Sequence, residues 1–496
     1  MGEGKRPAGE FLRGKPRGNA PQGPDEVGPM ARRKSRTAQV GGHLRENWQL
    51  VVLLVLLAAT FLLGGGSRGD ILSLIILRPL AVICLGLGLY GLTRRDWHGY
   101  RLPLAVMGAI IALILLHLIP LPPFLWTNIP GREIVVRAGE LAGLDGVWRP
   151  ISMVPYRGWN SFYAMLVPAA VMVLAVQVPV RQHRVLLYLM LGAVLLAALA
   201  GIAQAGSGFS PATYPYRVTN IGSPVGLFAN RNHFAALMCI AIPAFALIAS
   251  RAREPRKALT IGLSGAGTLI AFLMIFATGS RGGLGFGVVA LLCGWAIWQA
   301  RPRPIKRRKV GPQWIAPAVG IAFALVLTVC MAVIFDRADA LERISTSDVA
   351  EENRFAVWRV TAAHMWQYMP LGSGIGSFVE IFKIHEPDAM LGFGYWNHAH
   401  NDWLEWLLEG GIPGAILMLF AVWAWLRGTL YLWRRRHSGE YNVQLGLLGA
   451  STILILGLWS FVDYPLRVPS LVSLAAVAAV WMTAPRVIKA SSSRDD

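Results

Sequence analysis

The chain has 496 residues, of which 54% are hydrophobic and only 15% charged, and its mean hydropathy is +0.48. A soluble domain carries about a quarter charged residues, so the balance excludes a soluble enzyme and points to a polytopic α-helical membrane protein. The formal charge of +20 is scattered over short connectors rather than gathered in one basic domain; this sets nucleic-acid binding aside and fits the excess of Lys and Arg on the cytoplasmic side of membrane proteins.

Residues 1–47 are rich in Gly, Pro and Arg and read as a disordered cytoplasmic tail, held inside by the basic run Ala31–Arg36. The first apolar stretch starts too late for a signal peptide. Apolar runs of about the 20 residues that cross a bilayer then follow at 48–65, 71–93, 103–120, 159–179, 185–204, 232–250, 257–278, 283–300, 315–335, 410–428, 443–461 and 468–484. Twelve crossings place both termini in the cytoplasm, and the basic connectors at 93–101, 180–184, 250–257, 301–309 and 426–437 all fall on that side. Residues 48–335 thus hold helices one to nine with an outer loop at 121–158. Residues 336–409 form a large outer loop, 410–484 hold the last three helices, and 485–496 form a second cytoplasmic tail. Long loops carry function, so the working face is extracytoplasmic, and in a bacterium periplasmic. Cys84, Cys239, Cys293 and Cys330 all lie in apolar spans and read as small buried hydrophobes.

The densest chemistry is the stretch Tyr395–Gly414, where a polar loop meets a membrane helix. It holds His398, His400, Asn401 and three carboxylates, Asp402, Glu405 and Glu409; such groups are costly beside hydrocarbon. On the same face fall Arg231, Asn232 and His233, then Arg281 in Thr278–Gly283 (TGSRGG), Arg354, and finally Asp463 and Arg467. Arginine suits phosphate through its fixed two-pronged fork, and the glycines beside Arg281 let backbone N–H groups approach an anion. A snorkelling interfacial arginine is the other reading of Arg281, and spacing alone leaves the two open. Histidine near neutral pH is a competent general base, whereas an interfacial histidine bonded into its loop is the plainer account of His400. A metal at His398-x-His400 lacks a third ligand at a recognisable spacing. Trp403, Trp406 and Leu407 share one helical stripe and suit an interfacial helix. The closely spaced glycines of residues 371–378 read as a turn for close packing, with no βαβ context for a dinucleotide. Arg78, inside the second span, either snorkels or pairs with a neighbouring helix.

Several of these segments resemble the O-antigen ligase/polymerase family of bacterial membrane glycosyltransferases. The resemblance is carried by TGSRGG at 278–283, by Arg354 with Trp358 running into MPLGSGIGSF at 369–378, and by FANRNHFA at 228–235. His400-Asn401, nine residues, then Gly411-Ile412-Pro413-Gly414 carries it furthest. The resemblance implies an all-α, GT-C-like membrane fold with a large helical periplasmic loop. It also implies a metal- and cofactor-independent transfer of a whole oligosaccharide from undecaprenyl diphosphate to a glycan acceptor. Arg281, Arg354 and His400 are then the catalytic candidates, the arginines on pyrophosphate and the histidine at the acceptor. Arg231, Asn232, His233, His398, Asn401, Asp463 and Arg467 are candidates for substrate contact, with Asp463 an orienter of a charged neighbour. Membrane lipids and other polysaccharide assembly proteins are the remaining expected partners, and nucleic acid is not one. Polymerisation of O-antigen or exopolysaccharide is favoured over ligation to lipid A core or to protein. A polysaccharide or lipid transporter is the rival from another class; it calls for mid-bilayer polar groups and two similar halves, and no repeat is found.

Overall fold

A computed structural model describes residues 1–2, 47–300, 348–392 and 394–492, without the side chains of 348–353 and 488–492. Residues 3–46 of the expected disordered tail, the connector 301–309, the span 315–335 with Cys330, the start of the large loop and the last four residues lie outside the described residues. The chain divides into compact units Met1–Trp48 and Gln49–Asp496. The first is described only at residues 1–2 and 47–48, and the second holds all the polar clusters.

The first helices are α1 (Trp48–Leu63), α2 (Leu74–Gly91), α3 (Arg94–Gly99) and α4 (Arg101–Leu116). A two-stranded antiparallel ladder, β1 (Pro120–Leu121) with β2 (Arg149–Pro150), then encloses α5 (Pro123–Trp126) and α6 (Glu133–Leu141). Next come α7 (Pro155–Ala175), α8 (His183–Gly206), α9 (Arg231–Ser250), α10 (Lys257–Ala277) and α11 (Arg281–Gln299). After the segment outside description come α12 (Asp348–His364), α13 (Phe378–His385), α14 (Asp402–Arg434), α15 (Tyr441–Trp459) and α16 (Pro469–Ser492). The described architecture is all-α apart from that short ladder. Nine described helices (α2, α7 to α11 and α14 to α16) are long and apolar enough to cross a membrane. The apolar helices α1 and α4 have 16 residues each. This is a polytopic membrane protein.

The centre of the bundle is α7, α9, α15 and α16. On α9 every residue from Phe234 to Ala244 is buried, as befits a helix that is apolar all round. Its alanines let neighbours approach closely, which is how helices pack where lipid offers no hydrophobic drive; α10 and α11 lie against it, and α15 packs along α16. Arg78 does pair across helices, donating to Asn160 Oδ1 of α7 at 2.7 Å. Cys84, Cys239 and Cys293 are free thiols, the first two buried.

One break positions the polar chemistry. Helix α14 begins at Asp402, ahead of the apolar run expected from 410, because Asn401 caps it by accepting from Leu404 N at 3.0 Å. It then breaks at Gly411, whose φ of 57° and ψ of −149° are not helical. The break receives the turn at 369–376: Ile412 N donates to Pro370 O at 2.8 Å, Ser373 N to Leu408 O at 3.0 Å and Gly374 N to Glu409 O at 2.9 Å. A Cβ on Gly411 would collide with the Pro370 carbonyl, and one on Gly372 with the Glu409 carbonyl. The glycine-rich run is therefore a packing turn, seated against a kinked helix.

Candidate active site

The histidine segment is held from both sides. Glu405, one turn into α14, accepts from Ala399 N at 2.8 Å and lies 2.9 Å from His398 Nδ1. From the other side, Trp358 Nε1 on α12 donates to Ala399 O at 2.9 Å. Trp358 stands one helical turn after Arg354, so the helix that carries Arg354 is fixed against the histidines. Between these anchors His400 adopts φ 53°, a left-handed conformation that costs a non-glycine residue about 1–3 kcal/mol and persists only where the surroundings over-determine it.

His400 turns Nδ1 to Asp463 Oδ1 at 3.2 Å. Asp463 lies between α15 and α16 and is wholly buried. Its Oδ2 accepts from Asn232 Nδ2 at 2.7 Å and from Asn230 Nδ2 at 3.4 Å, and its Oδ1 from Tyr464 N at 3.1 Å. Burial opposes its ionisation, but the His400 bond, the neighbouring His233 and His400 rings and the Arg354 guanidinium hold the carboxyl well below the usual range. The network continues outward: Asn232 Oδ1 accepts from Ser280 Oγ at 2.8 Å, and Ser280 caps α11 by accepting from Gly283 N at 3.1 Å. Arg281 is the next residue, the first of α11, and Arg231 is the first of α9. A Cβ on Gly279 would stand 3.8 Å from Arg231 Nη1, so that guanidinium reaches the TGSRGG turn. The segments that carry Arg231, Arg281, Arg354 and His400, far apart in sequence, thus meet at the end of the bundle that holds Asp463. That end therefore holds two helix N-termini, each opened by an arginine, beside one buried carboxylate.

Residues 266–419 match the family model described as O-antigen ligase. This stretch is an O-antigen ligase domain. Comparison with the curated proteins found no match. The family is one of membrane proteins of polysaccharide synthesis that transfer lipid-linked glycans. The O-antigen ligase domain supplies Arg281, Arg354, His398 and His400; Arg231, Asn232 and His233 come from α9, and Asp463 and Arg467 from the turn between α15 and α16.

Several residues expected at the substrate are occupied inside the protein. Arg467 meets Glu409 Oε2 at 3.0 Å, Glu405 Oε1 at 3.2 Å and Asp402 Oδ1 at 3.4 Å. Burial works against its charge, but Glu405, Glu409 and Asp402 raise its pKa above the ordinary value. The remaining carboxylate oxygens are also engaged: Glu409 Oε1 accepts from Phe378 N at 3.0 Å, and Asp402 Oδ2 from Ser460 Oγ at 3.1 Å. Arg467 therefore braces the Glu405 that holds the histidine segment. Asn401 caps α14 and Asn232 serves Asp463, while His233 is 1% exposed with its ring 5.0 Å from Tyr464. His398, bound to Glu405, also sits 4.3 Å from the Tyr464 ring, with His400 at 4.9 Å. Sequence reasoning assigned no individual role to Tyr464, Glu405, Asn230, Ser280 or Trp358. The carboxylates at 402, 405 and 409 were the available signal, since that spacing puts them on one helix face, where they require a cation.

Proposed function

We propose that this protein transfers an oligosaccharide en bloc from undecaprenyl diphosphate to an acceptor sugar hydroxyl at the periplasmic face of a bacterial inner membrane, polymerising O-antigen or exopolysaccharide repeat units. The observation that carries this is the convergence on Asp463 of one histidine and three arginine-bearing segments. Twelve crossings with both termini in the cytoplasm complete the reading, supported by the alternation of basic connectors.

In the proposed step the acceptor oxygen attacks the anomeric carbon of the donor. A carbon–oxygen bond forms there while the bond from that carbon to the diphosphate oxygen breaks, and the lipid diphosphate leaves with the electron pair. The acceptor proton passes to His400 Nε2, because Nδ1–H is directed at the Asp463 carboxylate. Arg281 and Arg354, with Arg231 beside them, neutralise charge building on the leaving group. Arginine cations supply this charge, so the reading is metal-independent and predicts activity undiminished by a strong chelator.

The deciding experiment gives purified protein a lipid-linked repeat unit alone. A ladder of longer chains is expected; product that appears only when lipid A core is added would replace polymerase by ligase. His400→Ala should remove on the order of 10²–10⁴ of the rate while the protein still accumulates in the membrane. Arg281→Lys and Arg354→Lys should rescue poorly, because a point charge does not reproduce the fork. Full activity in His400→Ala overturns the assignment.

A further inference from the structure

Tyr464 follows Asp463 in the turn between α15 and α16 and is 7% exposed. Three imidazoles meet its ring. Centroids lie at 4.3 Å for His398, 4.9 Å for His400 and 5.0 Å for His233, with interplanar angles of 38°, 65° and 75°. The transfer step above uses one of those histidines and gives the tyrosine nothing to do.

The need for such a ring follows from how His400 is bound. Among the described residues its one side-chain hydrogen bond, from Nδ1 to Asp463 Oδ1, is 3.2 Å long, at the far end of the range for N–H···O. The second torsion of a histidine side chain is broad, so one long bond leaves the plane of the ring to be set by packing. Tyr464 supplies that packing at 4.9 Å, and Trp396 adds a ring at 5.9 Å and 86°. Tyr464 also acts on the carboxylate. Its backbone N–H donates to the same Asp463 Oδ1 at 3.1 Å, so one residue steadies both the oxygen and the imidazole that addresses it.

The hydroxyl has a smaller part. It accepts from Asn230 Nδ2 at 3.5 Å, and that amide is shared with Asp463 Oδ2 at 3.4 Å; both are long for hydrogen bonds. Burial and the neighbouring Asp463 raise its pKa above the ordinary phenol value. The hydroxyl therefore stays protonated and does not compete with His400 as a base.

We propose that Tyr464 is a positioning residue whose ring, not its hydroxyl, holds the His400 imidazole with Nε2 turned to the acceptor while Asp463 holds Nδ1. This rests on the transfer reading above. It adds to that reading a residue that lies beyond the O-antigen ligase domain at 266–419.

The test measures chain elongation from a purified undecaprenyl-diphosphate-linked repeat unit. Tyr464→Leu should lower kcat at least about tenfold with KM changed less than about twofold, because placement of the base is used in the step and not in binding. Tyr464→Phe, which restores the ring alone, should bring kcat back to within about threefold of wild type. In a His400→Ala background Tyr464→Leu should cost less than about twofold of the residual rate, since no imidazole remains to be held. Melting in detergent of the wild type, the two single variants and the double variant gives a second cycle, in which the double variant should lose less than the sum of the single losses. A loss in Tyr464→Phe as large as in Tyr464→Leu overturns the proposal, as does a rise in KM in place of the loss in kcat. A tenfold loss that persists without His400, or additive melting losses, overturns it too. A wild type that yields no glycan product would instead remove the transfer reading, while the melting cycle still decides whether the ring holds the imidazole.

Discussion

Asp463 shows how much one buried carboxylate organises. The resemblance offered it as an orienter of a charged neighbour but not which one: His400 lies 63 residues away, and no local spacing links a turn between two helices to a loop before a third. His400 itself was legible, because the interval from His400-Asn401 to the glycines at 411 and 414 is a local pattern. Asp463→Asn keeps the shape and removes the charge. It should lower turnover with little change in substrate KM, since the group it orients acts in the step rather than in binding. It should also change the pH dependence of stability. The folded pKa of Asp463 is depressed, so its stabilisation is complete above the unfolded value near about 3.9 and is lost as the pH falls through the lower folded value. The difference in melting temperature between wild type and Asp463→Asn should hold steady from about pH 7 to pH 5 and close below about pH 4; thermal scans across that range check it.

Among the elements, α14 does the most positioning. Hydropathy located its membrane part, as it located the other described spans, because crossing hydrocarbon demands a long apolar run whatever its neighbours are. Hydropathy says nothing of the polar first turns, which exist because Arg467 from a distant turn satisfies a stripe of three carboxylates. Arg467 was accordingly expected at the substrate and is found bracing the helix. The break at Gly411 was equally illegible, since its partner, the Pro370–Gly374 turn, is remote in sequence. Gly411→Ala puts a Cβ into the Pro370 carbonyl at a φ that disfavours it. It should destabilise by more than about 1 kcal/mol, read as reduced accumulation and a lower melting temperature in detergent.

For the whole molecule, the proposed orientation decides which end meets the periplasm, and labelling checks it. In a background with the four cysteines changed to alanine, Asp145→Cys lies in the segment between α6 and β2, and Ser438→Cys between α14 and α15. An impermeant thiol reagent on intact cells should label the first and spare the second; the reverse pattern inverts the orientation. Within the chain, parts separated by long stretches of sequence are mechanically joined, and the bond from Trp358 to the Ala399 carbonyl is the plainest case. Arg354 sits on the same rigid rod as that indole, and His400 is the very next residue after that carbonyl. Any displacement of the rod is consequently passed to the imidazole within two residues, so the cation and the ring advance or withdraw as one body.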